Sequence, residues 1–197
     1  AEAPSDAGAN NAYDIIVSVS DGTHTTTKSV AITVNNVNEA PTITSSTTSS
    51  VNENTTSVFY TAGASDPENN SLTYMISGTD AARFNIDAST GALSFRSGAN
   101  FESPNDAGGN NVYDIMLHVS DGDRITSQAM TITLLNVNEA PSFSSGTSGT
   151  NIAEGSTNQV YDANATDPDG TAVTFSLAAT DDGALFNIDP NTGVVSF

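Results

Sequence analysis

The sequence predicts an all-β protein of antiparallel Greek-key β-sandwiches, immunoglobulin-like in layout, with about seven strands per repeat and the modules in tandem. Three observations predict it. The chain repeats itself with a period near 100 residues, shown by Asn36-Val37-Asn38-Glu39-Ala40-Pro41 returning as Asn136-Val137-Asn138-Glu139-Ala140-Pro141. Apolar residues alternate with polar ones at period two, and no helical period competes. Gly, Asn, Asp and Pro punctuate the runs at short intervals.

Residues 1–41 hold two alternating runs, Tyr13, Ile15, Val17, Val19 and Val30, Ile32, Val34, either side of Asp21-Gly22. Such a pattern predicts a β-hairpin with one buried face. The pair recurs as Tyr113, Ile115, Leu117, Val119 and Met130, Ile132, Leu134 around Asp121-Gly122. Residues 42–100 supply the strands ahead of that second hairpin: Val58, Tyr60, Ala62; Leu72, Tyr74, Ile76; Phe84, Ile86; and Leu93, Phe95. Residues 142–197 repeat them as Tyr161, Ala163, Ala165; Val173, Phe175, Leu177; Phe186, Ile188; and Val194, Val195, with single-residue insertions of the kind surface loops accept. Asp80–Arg83 and Thr180–Ala184 are expected to form one irregular helical turn each.

The phase of the repeat divides the chain into the back half of one module (1–41), a complete module (42–141) and the front half of a third (142–197). A half-sandwich exposes an apolar face and an open sheet edge. The last segment lacks the hairpin that the first consists of, so 142–197 is expected to complement 1–41 of a neighbouring molecule. Closure within one chain is disfavoured, because the intact module separates the two halves lengthwise.

Composition narrows the function. The 197 residues carry 23 Asp and Glu against 4 Lys and Arg, a formal net charge of −19. Nucleic acid and anionic membrane surfaces are excluded as partners on that balance, and divalent cations are the natural counter-charge. There is no cysteine, hence no disulfide staple and no thiolate metal site. No apolar run reaches bilayer length, and the first residues carry no signal peptide, so targeting information is expected elsewhere.

Ala165-Thr166-Asp167-Pro168-Asp169-Gly170 with the following Val173–Leu177, its counterpart Ala64-Ser65-Asp66-Pro67-Glu68-Asn69, then Phe84-Asn85-Ile86-Asp87, Thr90-Gly91, Phe101-Glu102 and Tyr113–Asp121 together resemble tandem cadherin repeats of the bacterial cadherin-like kind. The resemblance covers essentially the whole chain. It implies calcium as the bound ion and an extracellular, bacterial cell-surface location. It also implies ligands at two joints: Glu53, Glu102, Asn136, Asn138, Glu139, Asp167 and Asp169 at one, and Glu2, Asn36, Asn38, Glu39, Asp66, Glu68 and Asp121 at the other. Asn36, Asn136, Asn100 and Glu68 stand where aspartates are common in the family, which lowers the charge available to an ion.

Physical chemistry supports the transfer. Calcium takes 6–8 oxygen ligands, more than one sandwich end readily presents, whereas a joint between modules can. Asp66 and Glu68 flank a rigid proline and repel each other unless a cation lies between. Asp-Pro-Asp-Gly is also good turn chemistry, but the acids recur at both joints. His24 and His118 read as surface residues. Paired carboxylates can suggest glycoside hydrolysis, yet these sit at module ends, without tryptophan or a nucleophile motif, and the chain is expected not to be an enzyme. Three roles share this fold: a calcium-rigidified stalk, homophilic cell adhesion, and polysaccharide binding. The last would usually show exposed aromatics as stacking platforms; there is no tryptophan and the tyrosines are mostly of inward parity, although Phe59 has outward parity.

Overall fold

Strict alternation becomes a nine-residue antiparallel hairpin twice in a computed structural model of the chain, which describes residues 6–197. The chain divides into two compact units, Ala1–Leu135 and Asn136–Phe197. In the first unit, β1 (Ala12–Ser20) pairs with β2 (Thr25–Thr33) from Ala12↔Thr33 to Ser20↔Thr25. The carboxylate of Asp21 closes the turn by accepting from the N–H groups of Thr23 and His24 at 2.8 and 2.7 Å.

The intact sandwich follows, with β3 (Thr42–Ile43), β4 (Thr48–Asn52), β5 (Tyr60–Thr61), β6 (Ala64–Ser65), β7 (Thr73–Ser77), β8 (Phe84–Ile86), β9 (Ala92–Phe95), β10 (Val112–Ser120) and β11 (Ile125–Leu135). One sheet has the order β4-β11-β10-β7 and faces a three-stranded sheet β5-β9-β8, while β3 pairs with β6. One pairing departs from the antiparallel rule: β4 runs parallel to β11, Thr48 opposite Thr131. The β10–β11 register, Val112↔Thr133 to Ser120↔Ile125, reproduces that of the first hairpin 100 positions on. A single 3-10 turn at Ala81–Arg83 occupies the expected place.

Alternation on β10 buries Tyr113, Ile115, Leu117 and Val119 against the facing sheet. Phe84, Phe95 and Tyr113 form the centre, with ring centroids 4.7 Å apart for the stacked Phe84–Phe95 pair and 5.5 Å for the edge-on Phe84–Tyr113 pair. Each such side chain contributes about 1.5–3 kcal/mol through burial, and the offset and edge-on geometries suit the ring quadrupoles. Two sequence expectations fail at the entry to β5. Val58 is exposed, and Phe59 packs against Phe84 and Phe95 at 6.1 and 5.3 Å. The strand begins only at Tyr60, so parity does not extend back through residues 58 and 59. Phe59 is therefore partly buried against the core and not an outward ring.

The second unit contains β12 (Ser142–Phe143), β13 (Gln159–Asp162), β14 (Ala165–Thr166), β15 (Asn187–Ile188) and β16 (Val194–Ser196), in sheets β12-β14 and β13-β16-β15. Its 3-10 turn is Asp181–Leu185. The Thr-Gly turn shows how closely the units correspond. A Cβ on Gly91, at φ +71°, would come within 2.7 Å of the Ala62 carbonyl, and one on Gly193, at φ +76°, would meet the Ala163 carbonyl. Only glycine fits either position.

Candidate metal centre

The first unit gathers most of one predicted ligand set around the loop after β6. Asp66 is buried, and its Oδ1 accepts from the backbone N–H groups of Glu68 and Asn70, both at 3.0 Å. Asn69 takes the left-handed conformation at φ 60°, and its N–H closes the turn on the Asp66 carbonyl at 3.1 Å. Glu68 Oε2 accepts from the Glu39 N–H at 3.1 Å, which ties the linker to this loop. The Glu39 side chain and then its backbone N–H keep Glu68 below the usual carboxylate range.

Asp121 approaches from the β10–β11 turn. Its Oδ1 accepts from the N–H groups of Asp123 and Arg124 at 2.8 and 2.6 Å, and its Oδ2 accepts from Asn38 Nδ2 at 2.8 Å. Those donors, with Arg124 first, hold its pKa below the ordinary value. Asn38 Oδ1 in turn accepts from Asn70 Nδ2 at 2.8 Å. Asn70 is absent from the sequence-predicted set, because its counterpart Thr171 donates only a backbone N–H, to Asp167 Oδ1 at 3.2 Å. Pro41, fully buried, anchors the linker, its carbonyl accepting from the Thr126 hydroxyl. Asn36 is exposed, and Glu2 lies outside the described residues.

Two oxygens at this site stand out. Asp66 Oδ2 and Glu68 Oε1 are both buried and have no hydrogen-bond partner. A buried carboxylate oxygen without a partner is unfavourable, because its desolvation is left uncompensated. Both belong to the one loop after β6, where a bound cation would satisfy them. The donor set is all oxygen, carboxylate and amide, which fits a hard divalent ion such as calcium and not a soft or nitrogen-seeking one.

The other predicted set is divided between the units. In the first unit Glu53 is 3% exposed, and its Oε2 accepts from the Phe101 N–H at 2.9 Å. Carboxylate oxygens of Glu53 and Glu102 lie within 4.8 Å of each other, a like-charge approach that a cation would relieve. In the second unit Asp169 Oδ2 accepts from the Glu139 N–H at 2.7 Å, the same bond that Glu68 makes to Glu39. Asn138 donates to the Glu139 carbonyl at 3.1 Å, Asp167 is half-buried, and Asn136 is exposed.

Other acids are already satisfied by the backbone. Asp80 accepts from the N–H groups of Ala107 and Asp114 at 2.7 and 2.9 Å, and Asp106 from those of Asn110 and Asn111 at 3.0 and 2.9 Å. His118 lies between the hydroxyls of Ser77 and Ser127, at 2.7 Å from each. Burial raises the Asp106 carboxyl, but the N–H donors outweigh it and leave it below its ordinary pKa; the Thr90 and Ser89 N–H groups do the same for Asp87. A carboxylate depressed in the fold contributes stability above its unfolded pKa, and that stability is lost as pH falls toward the folded value. In chelator, the urea midpoint should hold from pH 7 to about 5 and decline below about pH 4, where unfolded Asp and Glu titrate. A midpoint that rises on acidification would contradict this.

No family model matches the chain. Over 131 residues, 63% of its length, it is 29% identical to mouse cadherin-related family member 2, and it spans 10% of that protein. Human protocadherin-24 EC1-2 superposes on 81% of the chain, with 78% of that structure covered, a TM-score of 0.55 and 24% identity. Human CDH23 EC21-23 covers 94% of the chain with 63% of its own length, a TM-score of 0.63 and 17% identity. Sheet topology and these likenesses agree: the chain has the β-sandwich fold seen in cadherin extracellular repeats and is similar in sequence to a cadherin-related protein.

Proposed function

We propose that this chain is a non-catalytic, calcium-binding segment of an extracellular protein, a stalk that calcium rigidifies for cell adhesion. The carrying observation is the pair of buried, partnerless oxygens Asp66 Oδ2 and Glu68 Oε1, set among Asn38 and Asp121. Calcium there would be held by Asp66, Glu68, Asp121, Asn38 and Glu39, with Asn36 and Glu2 assigned by the repeat. It would supply positive charge that cancels the repulsion among these groups. The repeat assigns equivalent roles to Asn136, Asn138, Glu139, Asp167 and Asp169, with Glu53 and Glu102 contributing from the intact module. Module limits at 1–41, 42–141 and 142–197 follow from the same assignment.

An extracellular, cell-surface location and homophilic contacts are supported by the cadherin and protocadherin likenesses. Among the described residues no helix is long and apolar enough to cross a membrane. The acidity and lack of cysteine accord with a bacterial surface protein of the kind the sequence resembles. The linkers Asn36–Pro41 and Asn136–Pro141 become hinges without the ion. Chelation is therefore expected to lower the melting temperature and open both linkers to protease, with calcium but not magnesium restoring them. An unchanged melt and digestion pattern in chelator would refute the proposal.

A further inference from the structure

The intact module carries a group of soft donors on the sheet face that looks away from its core. Residues alternating with the buried ones on β7, β10 and β11 share that outer face, and the register sets Met75 and Ser127 opposite His118, with Ser77 opposite Met116. Two of the chain's three methionines and one of its two histidines therefore meet on one patch. Met75 is 47% exposed and Met116 and His118 are half-buried, whereas Met130 lies in the core at 2%. Directly opposite residues have Cβ atoms about 4.5–5.5 Å apart, and diagonal ones about 7–8 Å. Met116 stands roughly 6–7 Å from His118 along the same face of β10. Unbranched thioether side chains span such gaps.

The imidazole is fixed in place. Nδ1 lies 2.7 Å from the Ser127 hydroxyl on β11, and Nε2 lies 2.7 Å from the Ser77 hydroxyl on β7. Nε2 is thus turned toward the strand that bears Met75 and toward the row that holds Met116. With Nδ1–H donated to Ser127, Nε2 keeps its lone pair, and a hydrogen bond at the far nitrogen is how proteins orient a metal-binding imidazole.

The repeat supplies an internal control. The counterparts of Met116 and His118, 100 positions earlier, are Ile16 and Ser18, and the counterpart of Met75, 101 positions later, is Ser176. Nothing in the sandwich pattern calls for a thioether or an imidazole at these places, so the trio is particular to the intact module.

We propose that Met75, Met116 and His118 Nε2 form a binding site for a soft monovalent cation, Cu(I), separate from the oxygen-lined site around Asp66. Two thioethers and an imidazole are an uncharged, soft donor set, which selects Cu(I) and holds a hard ion such as calcium poorly. Around Asp66 the preference reverses, because every donor there is oxygen. Asp114 follows Met116 on the same face of β10, where it accepts from the Thr131 hydroxyl at 3.1 Å, and it places negative charge beside the ion.

Ag(I) is a redox-inert probe for such a site. Titrating the full chain with silver nitrate, in chloride-free buffer and excess calcium, keeps the result apart from the calcium proposal. The parent chain is expected to bind a single equivalent, with the methyl resonances of Met75 and Met116 shifting and that of Met130 unmoved. Met75→Leu, Met116→Leu and His118→Gln, all on the outer face, should each weaken binding by about ten-fold or more. Met130→Leu should leave it unchanged. Cu(I), supplied without oxygen as its acetonitrile complex, should displace the silver. An absence of saturable binding would overturn the proposal. So would binding that survives in the Met75→Leu, Met116→Leu double variant, or silver that Cu(I) fails to displace.

Discussion

Phe84→Ala is expected to destabilise the intact module by about 3–5 kcal/mol, enough to consume much of a small domain's stability. The ring is 1% exposed and meets Phe59, Phe95 and Tyr113 at once, so truncation leaves a cavity that no neighbour can fill without abandoning its own stacking. The counterpart Phe186 is only partly buried and borders an open groove. Phe186→Ala should therefore cost well under half as much, since solvent already reaches one side. Urea unfolding of both variants measures the contrast. Equal losses would mean that the second unit is as well packed as the first, contrary to the groove that Phe186 borders.

Asp66→Asn should reverse its effect with calcium. An amide retains the acceptor that caps the Glu68 and Asn70 N–H groups and removes one of two repelling carboxylates, so in chelator the variant should be as stable as the parent or more so. With calcium at 100 times its dissociation constant the parent gains about 2.7 kcal/mol per site, and the variant loses most of that gain. A variant less stable in chelator would indicate that the carboxylate is a turn cap and nothing more. Thermal melts with and without the ion decide between the two.

Much of this was readable from residue order. The alternation of Tyr113 to Val119 gave β10, Asp21-Gly22 and Asp121-Gly122 marked the hairpin turns, and Asp66-Pro67-Glu68 pointed to a loop whose acids converge with the linker. What escaped depended on where the backbone turns. Val58 and Phe59 exchanged roles because β5 starts at Tyr60, two residues later than parity assumed. The parallel pairing of β4 depends on a crossover that local alternation does not encode. Asp80 and Asp106 were invisible as structural acids, since their value lies in N–H groups 27 and 34, or 4 and 5, residues away. Asn111, left-handed at φ 61°, places one of those groups, as Asn11 at φ 59° does for Asp6. The recurrence of Asp-Ala-Gly-x-Asn-Asn at residues 6–11 and 106–111 is the signal that could have revealed this loop. Asn70 lacked a counterpart of its own type, so the repeat could not nominate it.

The central claim is that the carboxylates around Asp66 exist for a cation, and a calorimetric calcium titration of the parent chain beside Asp66→Asn tests it most directly. Saturable binding in the parent, with a dissociation constant in the range of about 10⁻⁴–10⁻³ M seen for extracellular modules, and loss of at least one site in the variant, is the predicted result. Identical titrations of the two chains, or no heat in either, would contradict it.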